Sequence, residues 1–302
     1  MFKRLELHNH TTESDAVFTC RELAEFMAED GVDAFALTDH NTISGHWKIR
    51  KILEDTDLPV SCIYGMEYTT YYGHILCLNL TEYVPWENIN RHKPELLFKA
   101  AREKGALTGI AHPYSYGWPF AQGCRFEMTM TDYGCCDFIE IFNNPEPLHE
   151  VNEKGLLLWE KLVLEGWKLA AACGMDLHGN SSLHGHYSTY ICGEQGGDIA
   201  RELESAVRSQ QTWVCKGPLL KTQICGDILS FAIEQTGKPG YEALPDECYV
   251  ITLRSESGIR TCHVNERIPL TAFGMDKRII PKLFEEEELL ERLVCISPVI
   301  SL

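Results

Sequence analysis

A chain of 302 residues that is 44% hydrophobic can bury a sizeable core, as one large domain or as one domain with a small appendage. No stretch approaches the ~20 apolar residues of a membrane span, and MFKRLELHNH lacks the apolar run of a secretory signal, so a cytoplasmic protein is expected. A net charge of −17 with no Lys/Arg-rich run argues against nucleic acid and anionic membrane as partners, leaving a small-molecule substrate and an open oligomeric state. The 13 cysteines are scattered without a C-x-x-C pair, which suits reduced thiols filling a core better than a zinc ribbon.

In chain order, Leu5 and Leu7 alternate with His8 and His10, so both imidazoles leave one face of an extended strand. Residues 19–30 read as a helix with a Thr19/Glu22 capping box and Gly31 as its stop. A buried-type strand over 32–38 ends at Asp39-His40, and 44–54 has helical spacing. Residues 60–64 form a strand running into Gly65-Met66-Glu67, and 74–80 is a further apolar run opened by His74. A helix is expected over 87–104, then strands over 107–111, ending at His112-Pro113, and 137–142, ending at Asn143-Asn144. A helix over 152–165 precedes a strand over 167–173 that leads to Asp176-Leu177-His178. A strand over 187–192 and a helix over 198–209 follow.

Strand followed by helix, repeated, implies parallel strands with crossover helices, and the number of units favours a barrel over an open sheet. After Gly217-Pro218 the runs become short and rich in Val, Ile, Thr and Tyr. Two domains are therefore expected: residues 1–215 as a β/α barrel and 216–302 as a small β-rich module. The module should hold a short acidic helix over 285–293 and a closing strand over 294–302.

Nine ligand-type residues stand at strand ends: His8, His10, Asp15, His40, Glu67, His74, His112, Asp176 and His178. In barrels of this kind functional groups gather at the C-terminal ends of the strands. Buried imidazoles and carboxylates need partners, and a divalent metal satisfies both at once.

The series LHNHTTESD, LTDHN, GMEYTT with GHILCL, AHP and GMDLH resembles, in order, the motifs of the polymerase-and-histidinol-phosphatase (PHP) family of metallohydrolases. The resemblance covers about residues 5–180 and implies a distorted seven-stranded β/α barrel with two or three divalent ions (manganese, iron or zinc). His8, His10, Glu67 and Asp176 would hold the first ion. Glu67 would bridge to a second, held also by His74 and His112, and Asp15, His40 and His178 would hold a third. Asp15 stands where some members carry His, which favours manganese or iron over zinc there. Two ions about 3.5–4 Å apart would share a hydroxide nucleophile. Three divalent ions outweigh three carboxylates, so the site would be cationic in an acidic protein and suited to an anionic, phosphorylated substrate. Glu67, Asp176 and His178 are the candidate catalytic residues. IEIFNN, LLLWEKLVLEGWKL and GMDLH bear a looser similarity to the branch of the family that includes carbaryl hydrolase.

Arg125 is a candidate anion contact in a long segment, 113–136, where Tyr114, Tyr116, Trp118 and Phe120 offer an aromatic wall. His184 and His186 are candidate substrate contacts at the mouth. Glu140 and Asn143 are either supporting or core polar groups, and His46, His92, His149 and His263 read as surface or strand packing. The expected function is hydrolysis of a small phosphorylated metabolite. Hydrolysis of a carboxylic ester, amide or carbamate is the first alternative, and a non-catalytic metal-binding scaffold the second.

Overall fold

The computed structural model describes residues 1–116, 123–143, 150–238 and 242–302. The apolar runs of the N-terminal part form β1 (Phe2–Glu6), β2 (Ala34–Leu37), β3 (Ser61–Thr70), β4 (Gly73–Leu78), β5 (Leu107–Ile110), β6 (Phe138–Phe142), β7 (Ala170–Cys173), β8 (Ser188–Cys192) and β9 (Trp213–Cys215). Between them lie α1 (Cys20–Glu29), α2 (His46–Glu54), α3 (Glu95–Glu103), α4 (Glu150–Leu164) and α5 (Ile199–Arg208). The Thr19/Glu22 capping box starts α1, and Asp198 caps α5 by accepting from the backbone of Ala200 and Arg201. The helix expected over 87–104 begins only at Glu95, because Pro94, without an N–H, takes the cap and cannot sit inside a helix.

The fold is a mixed α/β structure with a large, parallel-rich sheet. Strands β1 to β7 are hydrogen-bonded neighbours in chain order. The β1–β2, β2–β3, β5–β6 and β6–β7 pairs are parallel. Strands β3–β4 and β4–β5 are antiparallel, contrary to the all-parallel expectation. No crossover helix separates β3 from β4; the chain reverses through a tight turn at Gly73, whose φ of +135° favours glycine. A Cβ there would also lie 2.7 Å from the Phe126 Cα.

Among the described residues β7 pairs in the ladder with β6 alone. Its far side is met by hydroxyls: Thr189 Oγ1 accepts from Cys173 N–H (2.9 Å), and Thr212 Oγ1 donates to Ala171 O (2.7 Å). Just beyond β7 the chain returns to β1, with Leu177 N–H donating to His8 O (3.1 Å) and His10 N–H to Leu177 O (3.0 Å). This curl brings the C-terminal ends of the first and last of these strands together.

The sheet continues through β8 and β9 into C-terminal strands β12 (Tyr249–Ser255), β13 (Gly258–Cys262), β15 (Arg278–Glu285) and β16 (Leu293–Ile296). Strands β10 (Leu219–Cys225), β11 (Ile228–Glu234) and β14 (Ile268–Pro269) form a second, three-stranded sheet, and β17 (Ile300–Ser301) pairs with β15. The acidic helix expected over 285–293 is absent. Phe284 pairs with Leu293 across the β15–β16 hairpin, so the intervening residues must reverse the chain, and they hold only a 3₁₀ turn at Leu290–Arg292.

Leu5 and Leu7 pack with Ala34, Ala36, Ala170 and Ala172 and with Leu203 and Val207 of α5. The alternating residues Glu6, His8 and His10 are equally buried but polar, and so need partners of another kind. A larger core joins β3–β7, α3 and α4 to Ile280, Phe284, Leu293 and Ile296 of the C-terminal strands. All 13 cysteines are free thiols, most of them buried.

Candidate metal centre

Strand ends fix the polar residues through short backbone links. Asn9, between the two strand histidines, is buried; its amide donates to Glu6 O (3.2 Å) and Ala36 O (3.0 Å), locking the end of β1 to β2. Asp39 accepts from Thr11 N–H (2.7 Å) and from the Ser14 hydroxyl (2.8 Å), which shapes the turn that presents Asp15. His40 and Glu67 face each other in a parallel bridge just beyond the β2–β3 ladder.

Among the described residues four groups bring their ligand atoms to within 4.8 Å of one another; three hold the expected ligands (His8, His10, Glu67 and Asp176; Glu67, His74 and His112; and His10, Asp15, His40 and His178), and the fourth is His8, His112 and Glu140. Glu67 is fully buried and joins the first two groups. Its Oε1 lies 2.9 Å from His74 Nδ1 and 3.0 Å from His112 Nε2, and its Oε2 lies 3.4 Å from His8 Nε2. Asp176 Oδ1 is 2.9 Å from His10 Nε2 and 3.3 Å from His8 Nε2. In the third group Asp15 Oδ1 lies 3.5 Å from His40 Nε2 and 3.3 Å from His178 Nε2. Exposure separates the outer residues of the third group from the rest. The side chains of His8, His10 and Glu67 are 0% exposed, whereas Asp15 is 59% and His178 38% exposed. The third group therefore forms the mouth.

These residues fit divalent ions. His8 Nε2 is buried without a hydrogen-bond partner, in a shell that also contains two carboxylates. Orphaned imidazole nitrogens in such surroundings are costly unless a cation takes them up.

Charge coupling is strong. Burial drives the Glu67 carboxyl upward, but His8, His74, His112 and His40 overcome it and hold Glu67 well below the carboxylate range. Asp176 is likewise held low, by His8 and His10 against its burial. For His112, burial opposes the charged ring, and Glu67, Asp176 and Glu140 raise it to about 9. His10 goes the other way, lowered by burial. Beneath the groups, Glu6 is pushed up to about 8 by burial, although its Oε1 accepts from Met175 N–H (2.7 Å).

The backbone is also specialised here. His112 (φ +27°) and Asp176 (φ +50°) occupy the left-handed region, which non-glycine residues adopt at a cost. Gly174 permits the close approach behind His8, since a Cβ there would lie 2.5 Å from His8 Cβ and 2.9 Å from Glu140 Oε1.

The remaining candidates fall in different places. Arg125 is exposed and adjoins Cys124, whose carbonyl lies 3.2 Å from His112 Nδ1, so it stands beside the centre. His184 does not line the mouth. Its Nε2 pairs with Asp30 Oδ1 (3.1 Å), and the Leu183 carbonyl is held by the Arg4 guanidinium (3.0 Å) near the start of β1. Arg4 precedes His8 by four strand residues, about 13 Å. His186 belongs to the same loop, is half-buried, and donates its backbone N–H to Leu183 O (3.3 Å). Tyr114 and Tyr116 are half-buried; Trp118, Phe120, Asn144 and His149 lie outside the described residues. His46 is buried rather than on the surface, its Nε2 2.8 Å from Gly65 O. His92 and His263 are exposed. Asn9, Asp39 and Gly174 lie inside the matched motifs but carry no role in the sequence reading, and Glu6 is the next polar residue down the strand face of His8 and His10.

The PHP-domain profile matches residues 6–113. An uncharacterised protein of Methanocaldococcus jannaschii is 30% identical over 151 residues, covering 46% of this chain and 81% of that protein. The chain belongs to the PHP-domain family. A 5′-3′ exoribonuclease of Haemophilus influenzae is 30% identical over 145 residues, 44% of this chain and 50% of that enzyme's length. Among solved structures, a two-domain Bacteroides vulgatus protein containing a predicted PHP-like metal-dependent phosphoesterase superposes with a TM-score of 0.59 at 15% identity. That superposition covers 100% of this chain and 95% of the other, and it supports the fold across both parts of the molecule.

Proposed function

We propose that this protein is a metal-dependent phosphoesterase acting on a small phosphorylated metabolite such as a nucleotide or sugar phosphate. The observation that carries the reading is the convergence of three overlapping ligand groups at the strand ends, with His8 Nε2 buried and unpaired among them. His8, His10, Glu67 and Asp176 would hold one ion, Glu67, His74 and His112 a second, and Asp15, His40 and His178 a third. When bound, such ions would supply positive charge for phosphate oxygens and make a water acidic enough to attack near neutral pH. Manganese or iron suits the oxygen-bearing mouth.

The chain's own residues divide the remaining work. Glu67 directs its two oxygens toward different histidines and keeps its negative charge, so it is the group that ties the buried positions together. Asp15, His40 and His178 present the exposed edge that a substrate meets first. The Asp176 carbonyl accepts from His178 Nδ1–H at 2.8 Å, which leaves the His178 Nε2 lone pair on the side of Asp15, where it would hold the third ion. Arg125, on the rim, is the anion contact. We read the curled sheet as the family's distorted seven-stranded barrel, and residues 216–302 as a β-rich module whose strands extend it. The substrate is small because a net charge of −17 repels a long polyanion. The 5′-3′ exoribonuclease among the relatives places short oligoribonucleotides on the list of substrates to try.

The test is a screen of the manganese-loaded enzyme against phosphomonoesters, phosphodiesters, short oligoribonucleotides and carboxylic esters and amides. Turnover of a small phosphoester that disappears with chelator and in Glu67→Gln is expected. Turnover confined to carboxylic esters or amides, abolished in His112→Ala, would replace this reading with the alternative hydrolase.

A further inference from the structure

Beneath the ligand groups lies a carboxylate to which none of these roles is given. Glu140 projects from β6 between Ile139 and Ile141 and is 1% exposed. Its two oxygens go to two different ligand segments. Oε1 is 2.9 Å from His8 Nδ1, and Oε2 accepts the backbone N–H of His112 at 2.9 Å. A carboxylate only accepts, so His8 Nδ1 carries the proton whatever the charge of the ring. The lone pair of the neutral ring is then on Nε2, the atom that faces Glu67 Oε2 (3.4 Å) and Asp176 Oδ1 (3.3 Å). The second contact anchors a residue whose backbone sits at φ +27° and whose Nε2 points at Glu67. Gly174 leaves the room that this arrangement needs, since any Cβ there would strike both His8 and Glu140.

We infer that Glu140 is a positioning residue for both buried ion positions at once: it selects the His8 tautomer for the first and clamps the His112 backbone for the second. The inference rests on the metal-dependent reading above. Removing a hydrogen-bonding partner behind a metal ligand typically costs 10–100-fold in metal affinity. Here one side chain should impose that cost at two positions and spare the exposed third. Glutamine is an informative replacement. Its carbonyl oxygen can accept one of the two N–H donors, but its NH₂ then confronts the other.

The experiment compares wild type, Glu140→Ala and Glu140→Gln by manganese titration with elemental analysis. Side-chain nitrogen NMR on histidine-labelled protein then reads the ring tautomers. Circular dichroism monitors folding; if the alanine variant does not fold, the glutamine variant carries the test. Expected are a 10–100-fold weakening at two positions in Glu140→Ala, loss at one position in Glu140→Gln, and loss of the Nδ1–H signature of His8 in the alanine variant. Manganese affinities within about threefold of wild type in both variants, or an unchanged His8 tautomer, would overturn the inference. If wild type itself binds no manganese, the phosphoesterase reading fails, and the tautomer comparison still decides whether Glu140 orients His8.

Discussion

Asp15 and Gly174 show how single residues divide the labour of the centre. Asp15 is largely exposed, and its carboxylate faces the mouth residues His40 and His178. Asp15→Ala should therefore lower bound manganese by one ion per chain and leave the two buried ions in place, as elemental analysis after gel filtration would show. Loss of all ions together would mean that the three groups are not separable. Gly174→Ala should act at the opposite side. The added methyl meets His8 Cβ and backbone N at 2.5 and 2.8 Å, contacts that cannot give way without moving β1. A destabilisation of about 1–3 kcal/mol is expected from such overpacking, measured by urea unfolding. Weakened binding of an ion at the His8 position should accompany it.

Much of this was legible at the residue scale because ligand spacing is local: H-x-H and D-x-H each put two side chains at one strand end. Supporting groups were harder to see. Glu140, Asp39 and Asn9 earn their roles from partners 132, 28 and 27 residues distant in sequence, through contacts that only the curl of the sheet creates. His184 shows the converse. It follows the D-x-H motif closely in sequence, yet Arg4 holds its loop at the other end of β1.

At the level of elements, the capping box of α1 and the Asp198 cap of α5 are read directly from side-chain chemistry, so those helices were foreseeable. The β3–β4 hairpin was not. Its strands have the apolar pattern of any buried strand, and only the turn at Gly73 distinguishes reversal from crossover. The attachment of α4 to the C-terminal strands makes a separate prediction. Glu160, 1% exposed, pairs with Lys282 Nζ at 2.6 Å and Arg254 Nε at 3.1 Å, joining α4 to β15 and β12. Glu160→Ala would leave the Lys282 ammonium buried without a counter-charge. A loss of about 3–5 kcal/mol in unfolding free energy is expected from breaking such a pair on one side. Denaturant titration checks it, and a change below 1 kcal/mol would show that water reaches Lys282.

Across the whole molecule, an acidic chain concentrates imidazoles and carboxylates where the strand ends meet, and no described helix is long and apolar enough to cross a membrane. The ligand groups draw on β3, β4 and the segments after β1, β2, β5 and β7, so an ion held there ties together strands from most of the sheet. An ion that binds the native but not the unfolded chain stabilises it by about 2.7 kcal/mol at a hundredfold excess over Kd. Manganese should accordingly raise the thermal midpoint and chelator lower it, with a smaller response in Glu67→Gln, which scanning calorimetry can follow.

The central claim is that bound ions at the Glu67 cluster carry phosphoester hydrolysis. It is tested most directly by measuring phosphate release from a nucleoside monophosphate or sugar phosphate as a function of manganese bound per chain, in wild type and in Glu67→Gln. The account predicts a wild-type rate that climbs as the two buried positions fill and a variant at least a thousandfold slower. Phosphate release that is independent of bound metal, or undiminished in Glu67→Gln, would contradict it.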